Sequence, residues 1–337
     1  MAVQGTGNFL SAKILATFDR ALLMRATDTQ VFDRFGMAKT IPANSNTKKS
    51  FAYRYKNILP ATTPIAEYNG SNIKTGNKII REEVEFGVQH YGDYITLTDE
   101  LMKYDLRTIK TDFLDVLGDQ ASLTLDTIRR DVLRSGTNVV FADGATDRAT
   151  VASGAKKITK ADISLMAVKL KNQAGKKFKK VISGSTKIGT APVRSAYIAI
   201  VHPSQVEDLR ELAGWQDMED YPDVSKALED EVGRIGDFRV IESTNNDPID
   251  EAGTNIYVGL WMAMDSYVTV SLRGNKTIQT IVHDVGSAGA NDPLNQFGTV
   301  GWKAISGCAI VNQKWLIRTE ATASVEDADV KHHYDFT

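Results

Sequence analysis

Hydrophobic and polar positions repeat along this chain with two different periods, and the changes of period mark its elements. Leu10, Ile14, Phe18 and Leu22 recur at helical spacing with Asp19, Arg20 and Arg25 opposite them, which predicts an amphipathic helix near the start. Its stripe reads first as local core and second as a contact with a neighbouring molecule. From Ser50 to Ile95 the period falls to two. Phe51, Tyr53 and Tyr55 share one side of a strand and Ala52, Arg54 and Lys56 the other. On the return, Ile80, Val84, Phe86 and Val88 alternate with Arg81, Glu83, Glu85 and Gln89, broken only by Glu82 on the apolar side. Turn residues lie between them in Pro60, Pro64, Asn69-Gly70 and Gly76-Asn77. A strand from about Lys78 to Gln89 spans ~40 Å at ~3.3 Å per residue, longer than a compact domain usually holds. The segment reads either as a sheet edge with a long loop or as a hairpin that leaves the globule.

The longest helical pattern runs from Arg107 to Arg134, with Leu114, Leu117, Ala121, Leu125, Ile128 and Val132 on one side and Gly136 as the stop. Asp112 and Asp115 near its start and Arg129, Arg130 and Arg134 at its end complement the helix dipole. Thr137 to Gly154 reads as loop, with a turn at Asp143-Gly144. A helix from Thr159 or Lys160 to about Ala174 turns Ile163, Met166, Ala167 and Leu170 inward. The β-branched run Tyr197 to Val201 predicts a buried strand, followed by a helix capped by Ser204 with Glu207 completing a capping box and Gly214 as the stop. Asn245 to Gly253 reads as a surface excursion, and Ile256 to Leu260 and Val268 to Leu272 as strands. Lys276 to His283 and Trp302 to Thr319 read as strands returning to the long helix, so one domain is interrupted by another. The acidic, histidine-bearing tail from Val325 reads as mobile or partner-bound.

Composition narrows the function classes. The 337 residues are 42% hydrophobic, enough for one large core or two moderate ones, and 40 Lys and Arg against 42 Asp and Glu leave no overall basic field for tight nucleic-acid binding. One cysteine, Cys308, excludes an internal disulfide framework and, in the apolar run AISGCAIV, reads as an inert buried thiol. No run approaches a membrane span, and no signal pattern opens the chain. Gly184 and Gly189 have the spacing of a phosphate loop, but Thr190 and Ala191 stand where Lys and Ser or Thr are required. His90, His202 and His283 show no metal spacing, and His332, His333 and Asp335 read as a polar tail. Asp217, Glu219, Asp220, Asp223 and Glu229 to Glu231 read as a solvated acidic loop. No catalytic, cofactor-binding or metal-binding residue is assigned, and no cofactor is expected.

Ala196 to Thr244, through Ile200, His202, Pro203, Asp208, Leu209, Trp215, Val232, Gly233, Arg234, Ile235 and Ile241, resembles the major capsid proteins of tailed phages, in the family typified by certain podophages. Gly301 to Ser324 is a second matching segment. The resemblance implies an α+β fold of the Hong Kong ninety-seven type: an N-terminal arm (1–48), an extended E-loop hairpin (49–94), a peripheral domain on a long spine helix (95–136 and 275–325), an axial domain (137–274) and a tail (326–337). It implies self-assembly into pentamers and hexamers of an icosahedral virion shell around phage double-stranded DNA. Expected partners are other copies of the chain, a separate scaffolding protein, a portal and a decoration protein, with only weak non-specific contact to packaged DNA and none to membrane. Synthesis is expected in the bacterial host cytoplasm. Lys74 and Lys78 lie near the hairpin tip, but no motif identifies a partner asparagine, so no isopeptide cross-link is expected. A soluble two-domain enzyme and a tail- or portal-associated protein are the alternatives.

Overall fold

The computed structural model describes residues 30–41, 49–55, 78–104, 109–178, 194–221, 227–228, 230–272, 278–287 and 292–325. The amphipathic helix expected over Leu10 to Leu22, the hairpin tip, the Gly184 loop and the histidine-bearing tail lie outside the described residues.

Two sheets, each with its own core, share one long helix. The first sheet has five strands: β1 (Met37–Ile41), β4 (Gln89–Thr98), β12 (Tyr267–Leu272), β13 (Ile278–His283) and β14 (Phe297–Ile310). The 14-residue β14 is its axis, paired antiparallel to β4 along one edge and to β12 and β13 along the other. Helix α1 (Asp99–Tyr104) follows β4, and helix α2 (Ile109–Arg134) packs across the sheet. Leu114, Leu117, Ala121 and Leu125 of α2 meet Val300, Trp302 and Ala304 of β14 in a closed core, because residues three and four apart share one side of a helix. About two turns beyond this stripe, Leu133 enters the second core with Ile198, Ile200 and Leu260.

The second sheet has eight strands, seven of them in the order β5 (Val139–Phe141), β15 (Leu316–Ala321), β11 (Thr254–Met262), β6 (Tyr197–Val201), β9 (Phe238–Glu242), β8 (Glu231–Ile235) and β7 (Trp215–Asp217), with β10 (Ile249–Glu251) beside β11. All five residues of β6 are buried, as a strand covered on both faces requires. Helices α3 (Arg148–Ser153), α4 (Lys160–Asn172) and α5 (Pro203–Arg210) complete this body. Ile163, Met166, Ala167 and Leu170 of α4 pack against Tyr197, Phe238 and Trp261. A capping box starts α4, with Thr159 accepting from the Asp162 amide while the Asp162 carboxylate accepts from the Thr159 amide at 3.0 Å.

Several expectations change in detail. The α5 cap is His202, whose Nδ1 accepts from the Ser204 amide at 3.2 Å, because Pro203 already occupies the first helical position. That helix ends at Arg210, before Gly214, which has φ of +102°. The segment read as loop over Thr137 to Gly154 contains β5 and α3, with the expected turn at Asp143-Gly144 (φ 49° and 65°). Asn245 to Gly253 is not a plain surface excursion: Asn245 and Asn246 are buried, and β10 pairs with β11. The run Trp302 to Thr319 is two strands. β14 returns to the long helix as expected, whereas β15 crosses into the eight-stranded sheet after a turn at Asn312. Likewise no single strand runs from Lys78 to Gln89. The ladder changes partner at Gly87–Val88, where Gly307 passes so close to the Gly87 carbonyl that a Cβ on Gly307 would lie 2.2 Å from its oxygen.

Candidate assembly surfaces

Strands β2 (Lys49–Tyr55) and β3 (Arg81–Gly87) form an antiparallel ribbon with no other strand in its sheet among the described residues, the root of the expected hairpin. One side is fixed to the body: Ala52 and Phe86 are buried with Ile41, Val268 and Val270. The other side is open. Phe51 and Tyr53 on it are 41% and 48% exposed, and the Arg81 guanidinium lies 4.5 Å from the Tyr53 ring centroid. On the same side the ion pair Lys49–Glu85 joins the two strands, and Arg81 pairs with Glu83 along β3. Ile79 and Ile80, leading into β3, are exposed too. The aromatic side is thus the free one, and the side bearing Ala52 and Phe86 sits on the core.

Beside the ribbon, which covers Val268 and Val270 on the face of the five-stranded sheet opposite α2, the part of that face formed by β4, β13 and β14 is uncovered among the described residues. A cavity of about 540 Å³ lies on it, bordered by His90, Tyr94, Ile281, His283 and Lys303. Its floor is formed by Gly92 and Gly301, where a Cβ would lie 2.6 Å from the Trp302 carbonyl oxygen and 2.7 Å from that of Asp93. Tyr94 stands 67% exposed beside it. The opposite face is tied to α2 by polar contacts: Gln120 Nε2 donates to Asp93 at 2.6 Å and Trp302 Nε1 to Gln120 Oε1 at 3.2 Å.

In the C-terminal third of α2, buried polar side chains anchor the chain at Gln30 and Phe32, within the expected arm. Asp126 accepts from the Phe32 amide at 2.9 Å and from Asn245 Nδ2 at 3.0 Å. Burial pushes this carboxyl above its usual range, and Asn245, the Phe32 amide and Arg129 oppose that rise. Arg129 donates to Gln30 at 2.7 Å, and the Tyr267 hydroxyl donates to the Phe32 carbonyl at 2.7 Å. Arg130 bonds the Asn245 carbonyl and Asp247, each at 2.6 Å. Arg134 reaches the Asp247 carbonyl, and burial, aided by Arg130, lowers its pKa to about 10. These basic residues, expected to serve the helix dipole, instead tie two segments, one at Gln30 and one at Asn245 to Asp247, to one helix.

Residues 81–318 match the family model of phage capsid proteins. The chain belongs to that family. Its fold is that of a capsid from Ralstonia phage GP4 (TM-score 0.65, 13% identity, 89% of this chain and 93% of that one). Capsid proteins of cyanophage P-SCSP1u (TM-score 0.57, 12% identity, 88% and 89%) and of Helicobacter pylori bacteriophage KHP40 (0.56, 11%, 87% and 88%) are similar too. No curated protein matches the sequence. The architecture is therefore the α+β Hong Kong ninety-seven type, and the chain is a major capsid protein, a component of the virion shell.

The remaining candidates take their places within this capsid subunit. Asp217 ends the edge strand β7, Glu219 and Asp220 follow it, and Asp223 and Glu229 lie outside the described residues. Glu231 does not belong to a solvated loop. It is buried and receives bonds from Arg239 Nε at 2.6 Å, the Tyr221 hydroxyl at 2.7 Å and the Leu228 amide at 2.8 Å. Alternation along β8 turns it inward, and antiparallel pairing with β9 brings Arg239 within reach. Burial and the Glu231 charge push the Tyr221 phenol far up. Cys308 is half-buried, and burial raises its thiol to about 12, so it stays protonated at neutral pH. His202 is buried against Tyr257 with ring centroids 4.9 Å apart, and burial lowers its pKa to about 4. His90 and His283 border the open cavity without forming a metal cluster, and none exists among the described residues. Among those residues no helix is long and apolar enough to cross a membrane.

Proposed function

We propose that this capsid protein builds its shell from pentamers and hexamers around double-stranded DNA, through heterologous contacts in which one patch meets a different patch on the next copy. The observation that carries this reading is the family match over 81–318, together with an aromatic ribbon side and the concave part of a sheet face that no described residue covers. On this reading the hairpin from about Arg54 to Gly87 and the arm from about Phe9 to Phe35 supply area between subunits. The five-stranded sheet with α2 is the peripheral domain, and the eight-stranded body is the axial domain, with Ala196 to Thr244 toward the capsomer centre. The role is structural and not enzymatic. Scaffolding, portal and decoration proteins are separate chains, DNA contact is weak and non-specific, and synthesis takes place in the host cytoplasm. Deleting Leu59 to Lys78 tests the reading. The deletion leaves a folded monomer that forms no shells under negative-stain electron microscopy; normal shells from it would overturn the hairpin's role.

A further inference from the structure

The nearly neutral total hides two segments of opposite charge. Lys169 to Lys180 carries six lysines and no acid, whereas Glu207 to Asp223 carries seven acids and only Arg210 against them. The described parts of these segments reach different parts of the eight-stranded sheet: Lys169 lies beside β5 at one edge, Lys171 and Lys177 reach Asp237 in the turn between β8 and β9, and Glu219 and Asp220 follow β7 at the other edge. At the β5 edge, a cavity of about 520 Å³ is lined by Thr137, Asn138, Lys169, Gln173, Gln313 and Lys314. Lys171 and Lys177 share the one carboxylate of Asp237, which they hold below the usual carboxylate range against the opposing effect of burial. Lys169, Lys176 and Lys314 make no ion pair among the described residues, and Lys176 and Lys314 are exposed. At the β7 edge, Arg210 pairs with Glu207 at 2.8 Å and with Asp217 at 3.7 Å. Exposed Glu211, Glu219 and Asp220 are left with no cation among the described residues.

A ring of identical copies needs two different patches per copy that match each other, and opposite edges of one sheet with opposite charge meet that need. We propose that the acidic β7 edge of one copy docks at the lysine-bearing cavity beside β5 of the next copy. This rests on the reading that the chain assembles into rings. A nucleic acid would also be drawn to the lysines, but it would leave the acidic edge without a counterpart; a second copy satisfies both.

Glu219→Lys with Asp220→Lys makes both edges basic, and Lys169→Glu with Lys314→Glu makes both acidic. Each variant alone should keep its melting temperature and lose assembly, read by sedimentation and negative-stain microscopy, on the order of tenfold at low salt. An equimolar mixture should recover association, because alternate copies then match. Parent-like assembly by either variant, or a mixture that recovers nothing, would overturn the contact. So would lysine variants that assemble normally and lose only bound nucleic acid. If the parent forms neither rings nor shells, the proposed function suffers and not this contact, which the mixture still decides: a cross-linked hetero-complex absent from either variant alone supports it, and no such complex overturns it.

Discussion

The two sheets of this subunit bury their surfaces differently. The eight-stranded sheet is covered on both faces at its centre: β6 is wholly buried, and Trp261 packs edge-on against Phe238 at 4.8 Å while its Nε1 donates to Thr319 at 2.9 Å. The five-stranded sheet is covered by α2 on one face and leaves Tyr94, Ile281 and Lys303 on the other. One body spends its apolar surface within the chain; the other holds part of it back. Contiguous apolar surface held back around a glycine floor is what a protein-binding face looks like. Stability and assembly should therefore separate by location.

The largest effect that would sharpen this contrast is Trp261→Ala, which should cost about 4 kcal/mol of folding stability in denaturant titration, since it empties a fully buried site and orphans the Thr319 bond. Next comes Glu231→Gln, which leaves Arg239 buried without its charge partner and should cost roughly 3 kcal/mol by the same measurement. A pH series on the parent should show a loss of similar size or smaller. Because burial lowers His202, the unfolded state binds its proton from about pH 6.5 downward while the folded state resists until about pH 4. His202 then contributes its full stabilisation above pH 6.5 and loses it as pH falls toward 4, in total roughly 3 kcal/mol. His202→Asn, which keeps a capping acceptor, should flatten that slope; an unchanged slope would remove His202 as its origin. The smallest effect on folding belongs to the open face. Tyr94→Ser with Ile281→Ser should change stability by only about 0.5 kcal/mol and yet abolish shells in the microscope, and if it weakened folding as Trp261→Ala does, the contrast between the sheets would fail.

Periodic segments were legible in the sequence, and partnerships were not. Leu114, Leu117, Ala121 and Leu125 declare α2 because the packing stripe is written at one spacing in one segment, and Tyr197 to Val201 declares β6 for the same reason. Leu133 lies off that stripe, since the helix passes from one core to a second whose strands are far away in the chain. The division of Trp302 to Thr319 depends on whether each half finds β4 or β11, which no local pattern records. Glu231 looked solvated because it follows Glu229 and Asp230, and only the pairing of β8 with β9 reveals Arg239 as its partner. The lysine and acid segments were readable as local runs, but a total charge of −2 averages them away. Alternation predicts two faces for the ribbon, and only the tertiary contact shows that the face bearing Ala52 and Phe86 is the one buried on Val268 and Val270.

The anchor at Asp126 and Arg129 also has a mechanical meaning. From Gln30, the first described residue, the chain is gripped by side chains of α2 and by the Tyr267 hydroxyl, then continues into β1, which pairs in parallel with β12. A tensile load applied upstream of Gln30 therefore meets several hydrogen bonds sharing the force in parallel, backed by a ladder that must be sheared as a unit. Such a joint yields abruptly instead of creeping, and it delivers the pull to the one helix that reaches both cores.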